Sequence, residues 1–294
     1  MQWQKIALVG IGLMGGSLGL AIKQRGLARR VEGFVRRAAS IAECEKFGVV
    51  DQAGCDLCAA VTDAELVILC TPIAQMRELA ERMVPALKRG AIITDVGSVK
   101  GVLVADLEPI VARAGAEFLG SHPMAGAEKM GVSAARANLF GNALCVITPT
   151  ARSTPRALQK VGDFWTSVGG RTLRLSAEVH DEFVSRSSHL PHIVAAELAN
   201  YVLSPAHPKE QAWLCANGFR DTTRIASGSP DMWRDIALAN RKHLARVLGV
   251  FIEDLQEFQL ALEKGDAKSI EEFFKVAKHR RDQWQSQTAS SSPE

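Results

Sequence analysis

Short apolar segments alternate with longer amphipathic segments along the first part of the chain. In the amphipathic segments apolar residues return at helical spacing, as in Met76 to Leu87. This alternation is typical of an α/β protein with a doubly wound parallel sheet of the Rossmann type. The predicted strands are Ile6 to Val9, Val31 to Val35, Leu66 to Cys70, Ala91 to Thr94, Glu117 to Leu119, Ala143 to Thr148 and Arg171 to Leu175.

The strand pattern stops near Ser176, and helical periodicity continues from there. We therefore predict an α/β domain over residues 1–176 and an all-helical domain over residues 177–285. The polar, serine-rich residues 286–294 are predicted to be a disordered tail. The predicted helices are roughly Glu178 to Leu203, Gln211 to Ala226, Met232 to Lys264 and Ser269 to Trp284.

Composition and charge narrow the class of protein. The 294 residues are 47% hydrophobic and carry a formal net charge of +3 without a clustered basic stripe, which disfavours nucleic acid and favours a small-molecule partner. Six cysteines are too few for a secreted disulfide scaffold, so reduced thiols and a cytoplasmic location are expected, with the role of Cys55 and Cys58 open. The uncharged stretch Ile6 to Ile22 contains five glycines, which disfavours a membrane span or a signal peptide.

A glycine-rich turn follows the first predicted strand and opens a helix. Gly10, Gly12, Leu13, Met14 and Gly15 lie in a G-x-G-x-x-G segment at this turn. The first glycine turns the chain, the second lets a pyrophosphate approach the backbone, and the third allows close packing of helix on strand. The segment predicts a dinucleotide-binding site at the helix N-terminus.

The second predicted strand ends at Val35 and is followed by Arg36 and Arg37. An NAD site usually has a carboxylate here to bind the ribose 2′-hydroxyl, whereas guanidinium groups suit the 2′-phosphate of NADP. We therefore predict NADP as the preferred cofactor, with NAD as the alternative if these arginines are only solvated loop residues.

Two further loops follow predicted strands and are candidates for cofactor contact. One contains Thr71 and Pro72, and the other runs from Thr94 to Lys100 and includes Ser98. Ligands of open α/β sheets bind beyond the carboxyl ends of the strands, which favours a contact. Ordinary turn chemistry is the alternative for both loops.

Histidines cluster in short polar segments outside the apolar runs: His122 follows a predicted strand, and His180, His189 and His192 fall on the first predicted helix of the second domain. They do not have the compact spacing of a zinc site, so no metal is expected. Several short motifs rich in glycine, histidine and charged residues follow one another along the chain. They are Gly10 to Ser17, Asp95 to Lys100, Ser121 to Gly126, His180-Asp181, Ser188 to His192, Phe219 to Ala226 and Met232-Trp233.

With these motifs in this order, the sequence closely resembles the prephenate/arogenate dehydrogenase family, also called cyclohexadienyl dehydrogenases. The resemblance extends over nearly the whole sequence. The resemblance implies an oxidative decarboxylation, in which hydride leaves C4 of a cyclohexadienol, CO2 departs and the ring becomes aromatic. It assigns His122 as the general base for the C4 hydroxyl proton. Ser98 would orient that imidazole or touch the same hydroxyl, and Glu128 would belong to the pocket wall.

The resemblance also implies the substrate-binding residues. Arg224 would pair with a substrate carboxylate, for which a planar guanidinium is well shaped. His192 and Trp233 would line the side-chain end of the substrate, and His180 would stabilise the pocket or a closing contact. The choice between prephenate and arogenate stays open, as does inhibition by tyrosine at the active site.

A homodimer built through the helical domain is also expected from the resemblance. The predicted helix Met232 to Lys264 has apolar residues on more than one face and needs cover on several sides. Two alternatives to the activity are a β-hydroxyacid dehydrogenase and a protein that senses NADP without turnover. The first uses a lysine on a helix of its second domain, and Glu178 to Val202 contains none.

Overall fold

The computed structural model describes residues 2–127 and 129–290, with side chains as far as residue 287. The chain divides into two compact units, with the boundary between His243 and Leu244. The larger unit contains the β-structure, and the smaller one is helical. In the described ranges, no helix combines the length and apolar content needed to cross a membrane.

A parallel sheet organises the first unit and confirms the predicted fold class. Its strand order is β3-β2-β1-β4-β5-β6, so the chain crosses over between β3 and β4. The short β3, which is half-exposed and contains little apolar sequence, was not predicted. The strands are β1 (Trp3–Val9), β2 (Ala28–Phe34), β3 (Gln52–Gly54), β4 (Leu66–Leu69), β5 (Ile92–Asp95) and β6 (Glu117–Phe118).

Helices pack on both faces of this sheet because its central strands are apolar on both sides. In β1, Ile6 and Leu8 belong to one core cluster, while Ala7 and Val9 belong to the other. The first cluster includes side chains of α1 and α6, and the second those of α3, α4 and α5. The helices are α1 (Leu13–Gln24), α2 (Ala39–Phe47), α3 (Leu57–Val61), α4 (Ile73–Met83), α5 (Gly101–Ala112) and α6 (Pro155–Ser167).

The last three strands form a second, smaller sheet, which corrects the prediction of one continuous parallel sheet. Strand β7 (Gly120–Pro123) pairs antiparallel with β8 (Leu144–Thr148), and β8 pairs parallel with β9 (Arg171–Arg174). Periodicity identifies a strand but not its partner or direction. The polar β7 was not among the predicted strands. His122 lies in it, and only 8% of His122 is exposed.

The last part of the first unit is helical, and its helices are shorter than predicted because breaks divide the predicted long helices. A π-helical turn at Ser185–His189 precedes Pro191, which has no amide hydrogen to donate to the preceding turn. Another break falls at Asn240, whose side chain is buried. The helices are α7 (Ala177–Val184), α8 (Leu190–Val202), α9 (Asn217–Thr223) and α10 (Pro230–Ala239).

Two long helices complete the chain: α11 (Arg241–Lys264) and α12 (Ala267–Ser290). Gly265 adopts a φ of +64° at the turn between them, and Phe258 stacks on Phe273 with ring centroids 4.5 Å apart. Of the predicted disordered tail, residues 286–290 continue α12 because each added residue extends an existing hydrogen-bond ladder. Residues 291–294 lie outside the described residues.

Candidate active site

The glycine turn between β1 and α1 has the shape that a dinucleotide needs. Gly10 adopts a φ of +98°, which side-chain-bearing residues rarely adopt. A Cβ at Gly15 would lie 2.1 Å from the carbonyl oxygen of Gly10, so only glycine lets the helix approach the turn this closely. A Cβ at Gly12 would meet nothing within 4 Å, which leaves the backbone there open to a phosphate group.

Neighbouring residues complete the rim of this turn. Leu13 and Met14 form the first helical residues of α1 and are half-buried. Thr71 and Pro72 follow β4, and a Cβ at Gly10 would lie 2.7 Å from Thr71 Cγ2. Thr71 Oγ1 is buried and has no hydrogen-bond partner within the described residues. A polar atom of this kind beside the turn fits a cofactor contact.

Arg36 and Arg37 are exposed just beyond β2, the strand next to β1 in the sheet. They therefore lie at the carboxyl edge of the sheet, where the ribose of a dinucleotide is bound in this fold. The preceding residues of β2 are buried, so the chain emerges into solvent at these arginines.

A completely buried ion pair joins the last residue of β5 to the loop that follows it. The ammonium group of Lys100 pairs with the Asp95 carboxylate, and neither side chain is accessible to solvent. Lys100 Nζ also donates to the Ser121 carbonyl at 2.8 Å, while Asp95 accepts from the amides of Ser121 at 3.0 Å and Gly97 at 2.8 Å. Burial lowers the pKa of Lys100, and Asp95 opposes that shift. The pair fixes β7 to the end of β5, directly beside His122.

His122 on β7 contacts a histidine from the start of the helical region. Its Nδ1 lies 2.8 Å from Nε2 of His180, and the two rings meet edge to face. Burial is the main cause that holds the pKa of His122 well below its usual range, and His180, Lys100 and His189 add to the shift. His122 is therefore neutral near pH 7, the state that a general base requires.

The carboxylate of Asp181 joins His180 to the start of α5. Asp181 Oδ1 accepts from His180 Nδ1 at 2.7 Å and from the Lys100 amide at 2.7 Å, and Oδ2 accepts from the Gly101 amide at 2.8 Å. A Cβ at Gly101 would lie 2.9 Å from Oδ2, so any side chain there would displace the carboxylate. The buried amide of Asn240 donates to the Asp181 carbonyl at 2.9 Å.

The other two histidines differ in their surroundings. His189 is buried, its Nδ1 lies 3.1 Å from Asn240 Nδ2, and burial is the main cause that lowers its pKa to about 4. His192 is half-buried and stacks on Trp233 with ring centroids 3.7 Å apart. Burial lowers the pKa of His192, and the charge of Arg224 lowers it further. The predicted substrate-binding residues His192, Trp233 and Arg224 thus share one neighbourhood.

Two predicted site residues have less defined surroundings. Ser98 is half-buried in the loop between β5 and α5, and the contact that orients the His122 ring through Nδ1 comes from His180. Glu128 lies outside the described residues.

Sequence reasoning missed the parts played by Lys100, Asp181 and Asn240. Lysine and asparagine in polar segments usually face solvent, so nothing in the local sequence marks Lys100 or Asn240 as buried. Asp181 directly follows His180, and that adjacency was the available signal. Its contacts with the start of α5 join residues 80 and 81 positions apart.

The parallel sheet, its open glycine turn and a buried neutral histidine on β7, the strand bonded to the end of β5, define a dehydrogenase that uses a dinucleotide. The family model "Prephenate dehydrogenase, nucleotide-binding domain" matches residues 18–174, and "Prephenate dehydrogenase, dimerization domain" matches residues 176–276. The chain belongs to the prephenate dehydrogenase family and is an oxidoreductase.

Individual relatives agree with the family models. Prephenate dehydrogenase of Bacillus subtilis is 35% identical over 94% of this chain and 75% of its own length. The crystal structure of Aquifex aeolicus prephenate dehydrogenase with hydroxyphenyl propionate and NAD+ has a TM-score of 0.90 at 31% identity, covering 96% of this chain and 99% of that one. Synechocystis arogenate dehydrogenase has a TM-score of 0.81 at 29% identity, covering 96% and 100% of the two chains.

Proposed function

We propose that this chain catalyses the NAD(P)-dependent oxidative decarboxylation of prephenate, arogenate or both, which yields 4-hydroxyphenylpyruvate or tyrosine. The observation that carries the proposal is His122, a buried and neutral imidazole on β7 next to the end of β5, with one ring nitrogen held by His180. The named relatives act on prephenate and arogenate, which supports both substrates. A protein that only senses NADP needs no catalytic base, and a lysine-dependent hydroxyacid dehydrogenase uses a lysine as its acid or base. Neither alternative requires a buried neutral histidine at this position.

In this proposal His122 accepts the proton of the C4 hydroxyl through Nε2, because Nδ1 is already engaged by His180. When bound, NAD(P) supplies the acceptor for the hydride from C4. The C1–carboxylate bond then breaks, CO2 leaves, and its electron pair makes the ring aromatic. His122 returns its proton to the phenolic oxygen, so atoms and charge balance. Ser98 is half-buried in the loop after β5, and we propose that it orients the imidazole or touches the same hydroxyl and also contacts the cofactor.

The charged end of the substrate is assigned to the neighbourhood of Arg224. Arg224 is exposed on the short helical turn after α9, and its charge reaches His192. The rings of His192 and Trp233, tilted by 30° with centroids 3.7 Å apart, form an aromatic wall in the same neighbourhood. We propose that the guanidinium binds a substrate carboxylate while this wall contacts the side chain that carries it. Glu128 stays a predicted part of the pocket wall.

The test of the activity is initial-rate kinetics with prephenate and arogenate, each combined with NAD and NADP. Steady formation of reduced cofactor with at least one substrate supports the proposal. Cofactor binding without turnover of either substrate contradicts it and favours a sensor.

Replacing Arg224 with Ala is expected to raise the substrate KM by about tenfold to a hundredfold, since hydrogen bonds to charged groups contribute about 1.5–3 kcal/mol. Arg220→Ala, which removes another exposed arginine one turn earlier, serves as the control and should leave KM nearly unchanged. Equal KM values for the Arg224 variant and the unmodified enzyme would remove Arg224 from the substrate site.

We propose NADP as the preferred cofactor because Arg36 and Arg37 lie where the 2′-phosphate would be bound. The Arg36→Ala, Arg37→Ala double variant is expected to raise the KM for NADP by roughly tenfold or more and to leave the KM for NAD nearly unchanged. Arg29→Ala, at the opposite end of β2, is the control. An unmodified enzyme that uses NAD as efficiently as NADP, with no response to the double variant, contradicts this assignment.

We also propose that the chain forms a homodimer through residues 177–285. The matched dimerization domain supports this, as do exposed apolar side chains of α11 and α12 such as Leu260 and Phe274. Light scattering at micromolar concentration is expected to give twice the chain mass of 31.8 kDa. A mass equal to one chain would rule the dimer out under those conditions.

A further inference from the structure

We propose that Asp181 is a positioning residue that sets the tautomer of the His122 base, acting through His180. The inference rests on the proposed role of His122 as general base. It is carried by an unbroken series of hydrogen bonds from the start of α5, through the carboxylate of Asp181 and the ring of His180, to Nδ1 of His122.

The direction of each hydrogen bond follows from the donors at one end. The amides of Lys100 and Gly101 can only donate, and both are directed at the Asp181 carboxylate, which accepts. Because the carboxylate offers only acceptors, His180 must donate to it from Nδ1. In the neutral form of His180 the ring carries one hydrogen, so its Nε2 has a lone pair.

The same rule then fixes the ring of His122. Since Nε2 of His180 accepts, Nδ1 of His122 must carry its hydrogen and donate. The remaining nitrogen, Nε2, therefore holds the lone pair that can take up the substrate proton. In the opposite tautomer Nε2 would carry a hydrogen and could not act as a base.

The surroundings of Asp181 maintain this arrangement. The carboxylate is buried, and both of its oxygens are occupied by the donors named above. The absence of a side chain at Gly101 leaves room for Oδ2, because a Cβ there would lie 2.9 Å from it. When His122 becomes protonated during the reaction, the carboxylate also offsets the positive charge. The aspartate of a Ser-His-Asp triad has the same effect by direct contact, whereas Asp181 acts across the ring of His180.

The experiment is histidine ¹⁵N NMR on the full chain, with the His122 signals assigned from their loss in His122→Asn. The unmodified protein is expected to show hydrogen on Nδ1 of both His122 and His180 at neutral pH. In Asp181→Asn the amide provides a single acceptor oxygen, so we expect loss of the single His122 tautomer. The kcat should fall by about ten- to a hundredfold, with KM for substrate within about threefold.

Gly101→Ala gives a second test in which no chemical group of the series is removed. The added methyl displaces the Asp181 carboxylate, so a smaller fall in kcat with the same change in the NMR spectrum is expected. Gly162→Ala is the control, because a Cβ at Gly162 meets nothing within 4 Å.

Hydrogen on Nε2 of His122 in the unmodified protein would overturn the inference, and this measurement does not depend on the folding of any Asp181 variant. An unchanged tautomer and kcat in a folded Asp181→Asn would overturn it as well. Kinetics of the unmodified protein keep the two proposals distinguishable. Failure to turn over prephenate and arogenate defeats the proposed function, whereas the NMR result tests the hydrogen-bond series without substrate.

Discussion

Replacing His122 with Asn lowers kcat by about two to four decades and leaves the affinity for the dinucleotide nearly intact, because general-base catalysis contributes about that much to a rate. Asparagine is similar in size but has no nitrogen basic enough to take the hydroxyl proton. The glycine turn that we assign to the cofactor is formed by residues 10–15, at the end of a different strand, so its geometry does not depend on this side chain.

The pH profile of the unmodified enzyme gives a second readout of the same residue. The base acts only when unprotonated, so kcat/KM rises with pH through the pKa of His122. Because burial holds that pKa well below 6.5, the rise is expected below the usual histidine range and not in the neutral range that the sequence alone suggests. His279→Asn, on the exposed surface of α12, is the control for histidine loss. A kcat for His122→Asn within about threefold of the unmodified value would mean that another group is the base.

Replacing Lys100 with Met lowers the free energy of unfolding by about 3–5 kcal/mol, the usual cost of leaving one partner of a buried ion pair unpaired. Asp95 would remain in the core with its charge opposed only by backbone amides. Denaturant titration followed by circular dichroism measures the effect. The double variant Asp95→Asn, Lys100→Met should be destabilised by less than the two single changes together, because no unpaired charge is left.

Lys88→Met is the matched control for this prediction. Lys88 pairs with Glu65 across 3.8 Å, but its side chain is 46% exposed, and exposed pairs contribute at most about 1 kcal/mol. If the Lys100→Met and Lys88→Met variants had the same free energy of unfolding, the buried pair would not stabilise the connection between β5 and β7.

The parts of the fold that sequence predicts well are those with local signals. The turn at Gly10 follows a continuous apolar strand and carries glycines at fixed spacing, so both its position and its ligand class could be predicted. β4 and β5 are buried on both faces, so each is marked in the sequence by a short run of mainly apolar residues, and this run predicts the strand.

The parts that sequence could not predict depend on contacts between distant residues. His122 and His180 are 58 positions apart, and no local pattern indicates that their rings meet. The burial of Lys100 depends on Asp95 and on the Ser121 carbonyl, a backbone group that has no sequence signal. The break at Asn240 likewise reflects a side chain that bonds to the backbone of Asp181.

Hydrogen bonds between residues that are distant in sequence also determine which parts of the site can form first while the chain is being synthesised. The dinucleotide turn belongs to β1 and α1, which leave the ribosome before β7 and α7, and domains fold as they emerge. His122 emerges well before His180 and Asp181, so its Nδ1 has no native partner while β7 to β9 are being made. The nascent α/β segment can therefore acquire a nucleotide-binding turn before its histidine is oriented, and the series of bonds to that ring closes only when the first helix beyond the sheets arrives.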